Sequence, residues 1–146
     1  MSKGNNWENG ILELALNNVT FAGLGDATGL VGSTVDGSTY ISLHTGDPGE
    51  AGDQSTSEED YTGYARVAIA RDGSGWTVVA NSASPQAAIT FGIGTVADGD
   101  TVTHFGVGTA AAGAGILLWS GTVTPNIVTG NGVTPVLPVT STITED

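Results

Sequence analysis

Cysteine is absent from the 146 residues. A disulfide scaffold is therefore excluded, and so is a zinc site built on thiolates. Positive charge is nearly absent: three Lys and Arg stand against fifteen Asp and Glu, a formal net charge of -12. So few cations cannot neutralise a run of phosphates, and an anionic membrane surface would repel the chain, so neither nucleic acid nor membrane is expected as a partner. Long apolar runs are missing as well, since no stretch approaches the roughly 18 residues of a membrane span. The start, Met1-Ser2-Lys3-Gly4, is not followed by an apolar run of signal-peptide type, which predicts synthesis and folding in a cytosol. Charged residues of either sign make up only 12% of the chain, about half the usual share.

What is present is glycine, hydroxyls and β-branched residues. There are 23 Gly and 31 Ser plus Thr, 20 of them Thr. Such a composition suits an all-β protein with many turns, and 39% hydrophobic content argues against disorder. The length suits one domain, or one domain with an arm.

The first segment predicts a short N-terminal helix over residues 6–17. Asn5 is placed to cap it, with Glu8 reaching back in a capping box. Trp7, Ile11, Leu14 and Ala15 fall on one helical face, which Leu12 and Leu16 widen. Gly10 inside the segment costs about 1 kcal/mol of helix propensity, so the helix needs something to pack against. A glycine-rich connector follows over residues 22–38.

Period-2 alternation then begins at residues 39–44. A long acidic loop covers 45–62. Residues 64–70 and 76–80 read as two strands of a hairpin across the Asp72-Gly73 and Ser74-Gly75 turn signals. Further strands are expected at 87–91, 102–107, 116–123, near 126–129 and within 133–143, where Pro135 and Pro138 place the last one at an edge. About eight short strands with turns every 8–12 residues fit an antiparallel β-sandwich of jelly-roll type. Residues 1–37 form the helical arm and connector in this reading, and 38–146 the sandwich.

Chemistry-bearing constellations are sparse. His44 and His104 lie in expected strands beside threonines, and strand histidines bonded to backbone or hydroxyls explain both. No Gly-x-Ser-x-Gly elbow is present. The acidic loop offers oxygens but lacks the register of a helical calcium loop, so it reads as solvated. The glycines of Gly23-Leu24-Gly25-Asp26-Ala27-Thr28-Gly29 are spaced wrongly for a dinucleotide cradle and follow a helix rather than a strand. No metal, no cofactor and no catalytic residue is expected. Trp76 and Trp119 are expected in the core. For Trp7 two readings stay open: its helix closes an end of the sandwich, or the arm docks on a neighbouring subunit through Trp7, Ile11 and Leu14.

Four strings stand out in order: Leu43-His44-Thr45-Gly46-Asp47-Pro48-Gly49-Glu50-Ala51-Gly52, Gly63-Tyr64-Ala65-Arg66-Val67, Val102-Thr103-His104-Phe105-Gly106-Val107 and Leu117-Leu118-Trp119-Ser120-Gly121. Together, over about residues 5–125, they resemble a family of small tailed-phage virion proteins, labelled tail-fibre or head-decoration (cement) proteins. The chain departs from that family where Gly108-Thr109 follows Gly106-Val107 in place of an aromatic and an acid, and in a longer acidic loop. Within the motif, Asp47-Pro48-Gly49 reads as a turn, and Arg66 is expected to pair with Asp47 or Glu50. His44, Asp47, Pro48 and Arg66 are thus structural motif residues.

The resemblance implies a structural role in a virion and no catalytic residues. The leading expectation is a capsid decoration protein: a homo-oligomer, a trimer by preference, that binds the outer head surface and bridges major capsid protein subunits. The alternative is a tail or fibre component contacting the host, with glycan binding through an exposed aromatic shelf. A small jelly-roll hydrolase using His44 or His104 is a third reading, and a packing domain of a larger complex with no head specificity is a fourth.

Overall fold

The computed structural model describes residues 2–25 and 29–145. It is mostly β, with one N-terminal helix and nine strands in antiparallel sheets. The chain builds two compact units that interleave along the sequence. One comprises Met1–Ser38, Ile69–Ala88 and Pro138–Asp146, the other Thr39–Ala68 and Ile89–Leu137. Within the glycine-rich connector, Asp26, Ala27 and Thr28 lie outside the described residues.

The first unit is organised by the helix α1, Asn5–Asn17. Gly4, not Asn5, is its N-cap, and no side chain caps that end. The capping box expected from Asn5 and Glu8 does not form: Asn5 is already helical, and Glu8 is buried. Burial follows Glu8, Leu12 and Leu16, spaced by four along one face, with both leucines 0% exposed. Trp7 stays 38% exposed and leans on Phe21 at a ring separation of 5.6 Å. Phe21 also explains Gly10, because a Cβ there would come within 2.8 Å of its ring. The propensity lost at Gly10 is the cost of letting an aromatic ring approach the helix backbone.

The C-terminus of α1 carries no basic residue in its last turn. Arg71 supplies the charge from elsewhere in the unit. Its Nε donates to the carbonyl of Ala15 and its Nη2 to that of Leu14, while Nη1 reaches the carbonyl of Asp36. A guanidinium there satisfies orphan carbonyls and opposes the negative end of the helix dipole. Asn18 follows in the left-handed region at φ 58°, and its side chain binds Ser33 and Asp36 of the connector.

The rest of this unit is a three-stranded sheet of β3 (Trp76–Val79), β4 (Ser82–Pro85) and β9 (Ile143–Thr144), in that order. β3 and β4 are joined by Ala80-Asn81, with Ala80 at φ 54°. The expected hairpin of 64–70 with 76–80 does not form; 76–79 pairs instead with 82–85, where no strand is expected from the sequence. A two-residue turn led by alanine carries none of the glycine signal that marks 72–75. Trp76, Ala83 and Ile143 fill this core with the helix leucines, so Trp76 is in the core as expected.

In the second unit the sheet order is β2-β1-β6-β7, with β1 at Ser38–His44, β2 at Val67–Ala70, β6 at Thr101–Gly108 and β7 at Leu117–Val128; β1 and β2 each run across the boundary between the units. Registers place Leu43 opposite Phe105, His44 opposite His104 and Val107 opposite Trp119. The sheet has two open ends and closes no barrel among the described residues. β7 is one continuous strand of 12 residues where two shorter ones were expected. β5 (Ile89–Thr90) pairs with β8 (Val136–Leu137). Ile41, Leu43, Val102 and Val107 are all at most 1% exposed and form the centre of this core.

Candidate functional site

The loop after β1 is built from short polar side chains that take the place of regular structure. Asp47 Oδ1 accepts the amide of Gly49 at 2.9 Å, and Gly49 stands at φ 67°, so the Asp-Pro-Gly turn forms as the sequence indicates. Pro48 is buried beneath it. Gly52 closes against the turn, where a Cβ would meet the Pro48 carbonyl at 2.1 Å. Further on, the hydroxyl and amide of Ser55 donate to Asp53 and hold its carboxyl below the usual range.

Arg66 anchors this loop, but not through Asp47 or Glu50. Its Nε and Nη2 grip Glu58 at 2.6 and 2.7 Å, while Nη1 and Nη2 donate to the carbonyls of Ala110 and Gly113. The side chain is 2% exposed. Glu58 also accepts from the Tyr64 phenol, which in turn accepts the amide of Leu43. Burial pushes that phenol up in pKa. Glu58 lies eight residues from Arg66 and is half-buried beside it, whereas Asp47 and Glu50 stay exposed. Gln54, 0% exposed, was not singled out from sequence. It accepts the amide of Ala110 and donates to the Tyr40 carbonyl. Gly108 makes room for it: a Cβ there would fall 2.1 Å from Gln54 Cδ.

His44 lies in the interior, 0% exposed, with Nδ1 at 2.8 Å from the Thr56 carbonyl and Nε2 at 2.8 Å from Ser42 Oγ. A carbonyl only accepts, so Nδ1 carries the proton and Nε2 receives the serine hydroxyl. The two residues share a strand face at i and i+2. Gly106 leaves room for them, since its Cβ would lie 2.7 Å from both polar atoms. The geometry is that of a hydroxyl–imidazole couple, but the third partner is a carbonyl and Ser42 is 0% exposed too. His104 is bonded to the Thr103 hydroxyl.

Burial holds the His44 imidazole below its ordinary value of 6.5, against the Thr56 carbonyl that pulls the other way. The unfolded chain therefore takes up a proton that the folded chain resists. Stability is full above about pH 6.5 and falls as pH drops from there toward the folded value. Urea midpoints measured from pH 7.5 down to 5 are expected to decline; a flat profile there would show that His44 is not held neutral. The carboxylates with lowered values titrate below this window.

One accessible feature among the described residues of this unit is a groove of about 490 Å³. One wall is the turn, with Asp47, Gly49, Glu50 and Gly52; the other is Leu117 to Ser120 of β7. Trp119, expected in the core, is half-buried here and lines the groove, because the first half of β7, residues 117–122, alternates between half-buried and exposed positions, and burial is reached only at Val123. Asp47 and Glu50 are exposed, as is Ser120. Two of the four sequence strings thus meet at one place. Trp7, Ile11 and Leu14 belong to the other unit, where Ile11 and Leu14 are half-buried. Among the described residues no three His, Asp or Glu gather as metal ligands.

A family model described as Podophage GP4 fiber I protein gp80 matches residues 3–144. The chain belongs to this family. A comparison with curated proteins finds no match. As a member of the gp80 fibre family the protein is a phage virion structural protein, and the groove formed by its Asp-Pro-Gly turn and Leu-Leu-Trp-Ser strand is a candidate for contact with something else.

Proposed function

We propose that this protein is a fibre component that contacts the host cell surface, and that its groove is where a surface glycan binds. The observation that carries the proposal is Trp119, which lines an open groove beside two exposed carboxylates and a serine hydroxyl. An aromatic ring offers the apolar face of a sugar a flat partner, and carboxylates and hydroxyls accept its O–H groups. The fibre description of the family supports this role over clamping of the head surface.

Purified protein is expected to retain glycans on an array, and Trp119→Ala to weaken the strongest of them by at least about tenfold, provided that circular dichroism shows an unchanged fold. An array without signal would sink the glycan reading. Copy number per virion separates the two virion roles: a stoichiometry near that of the major capsid protein would return the protein to the head surface, whereas a few copies fit a fibre.

A further inference from the structure

We propose that the groove selects saccharides carrying a free ammonium group over their neutral and acidic counterparts. This rests on the glycan reading above and adds the charge of the ligand. The charged groups lining the groove are Asp47 and Glu50, and both are negative. No residue of the lining is a cation. Arg66, the cation of this unit, is committed to Glu58 and to the carbonyls of Ala110 and Gly113, so it does not offset the two carboxylates. Asp47 uses one oxygen to hold Gly49, which leaves the second available.

The indole of Trp119 adds to the same preference, because the face of a tryptophan attracts a cation. An ammonium on the sugar would meet Trp119 and two carboxylates along one groove. An acetamide at the same position offers neither charge, and a uronic acid is repelled. The groove is open, so salt screens these interactions over a Debye length of about 8 Å at physiological ionic strength. The preference therefore belongs to low and moderate salt.

The test uses the full chain and two probes, the glucosamine tetrasaccharide and its N-acetylated form, compared by calorimetry in slightly acidic buffer. Glucosamine oligomer is expected to bind about tenfold more tightly at low salt, with the gap closing at high salt. The double variant Asp47→Asn with Glu50→Gln keeps the shapes and the acceptor for Gly49 while removing both charges. It is expected to bind the two probes equally. Equal affinities in the unmodified protein, or a preference that survives the double variant, overturn the inference and leave the glycan reading standing. Binding of neither probe by a protein that binds other glycans on the array also overturns the inference alone, and silence on the array removes both.

Discussion

Arg66→Ala is expected to lower the unfolding free energy by about 3–5 kcal/mol, the range for removing one partner of a buried ion pair. Four hydrogen bonds disappear with it, two to Glu58 and two to backbone carbonyls of the turn after β6. Glu58 is left with the phenol of Tyr64 as a donor and no countercharge. Lysine does not restore the site, because an ammonium is a point charge and cannot reproduce the two-pronged grip on Glu58. A urea titration measures the loss directly. If Arg66→Lys proves as stable as the original chain, the forked geometry is not what matters.

Gly92→Ala is the second large effect, at about 3 kcal/mol or more. The backbone at Gly63 and at Gly92 passes so closely that a Cβ on Gly92 would fall 2.0 Å from the Gly63 carbonyl oxygen. A Cβ on Gly63 would fall 2.2 Å from that of Ile93, and Gly63 also stands at φ 113°. The crossing is tied on both sides: the Tyr61 phenol donates to the Gly92 carbonyl, and the amide of Thr95 donates to the Thr62 carbonyl. Backbone atoms have nowhere to go, so the cost falls on the whole crossing. Gly46→Ala is the control. Its nearest neighbour would be Ser57 Oγ at 3.7 Å, an ordinary contact, and a change within about 0.5 kcal/mol is expected there. Equal midpoints for Gly92→Ala and Gly46→Ala would contradict this account of the crossing.

These two sites also show what the sequence reveals and what it hides. The all-β class, the N-terminal helix and the Asp-Pro-Gly turn follow from local rules, namely period, propensity and the φ demands of proline and glycine. Arg66 could be recognised as needing a partner, because a single guanidinium in a charge-poor strand rarely lacks one. Which acid it takes is a matter of how a loop of some twenty residues folds back, and no local rule decides between Asp47, Glu50 and Glu58. Gly92 carries no sequence signal beyond being glycine, since its reason lies in a residue 29 positions away. Trp119 was misplaced for a related reason. Alternation shows that one face of β7 is apolar, but not whether that face is covered, and here it borders an open groove. β4 was overlooked because Ala80, not glycine, takes the positive φ at its turn.

The use made of the three cations has a consequence for proteolysis. Trypsin cuts after lysine and arginine, which the chain carries at positions 3, 66 and 71 alone. Arg66 is closed in beneath a loop, and Arg71 is fastened to the end of α1. A protease needs a segment it can draw out into an extended strand, and neither site offers one until its unit opens. Only Lys3, ahead of the helix, is within reach in the folded state. Where closing outpaces cleavage, fragments beginning after Arg66 or Arg71 therefore appear in proportion to the population of opened molecules, which makes tryptic digestion a gauge of the opening equilibrium.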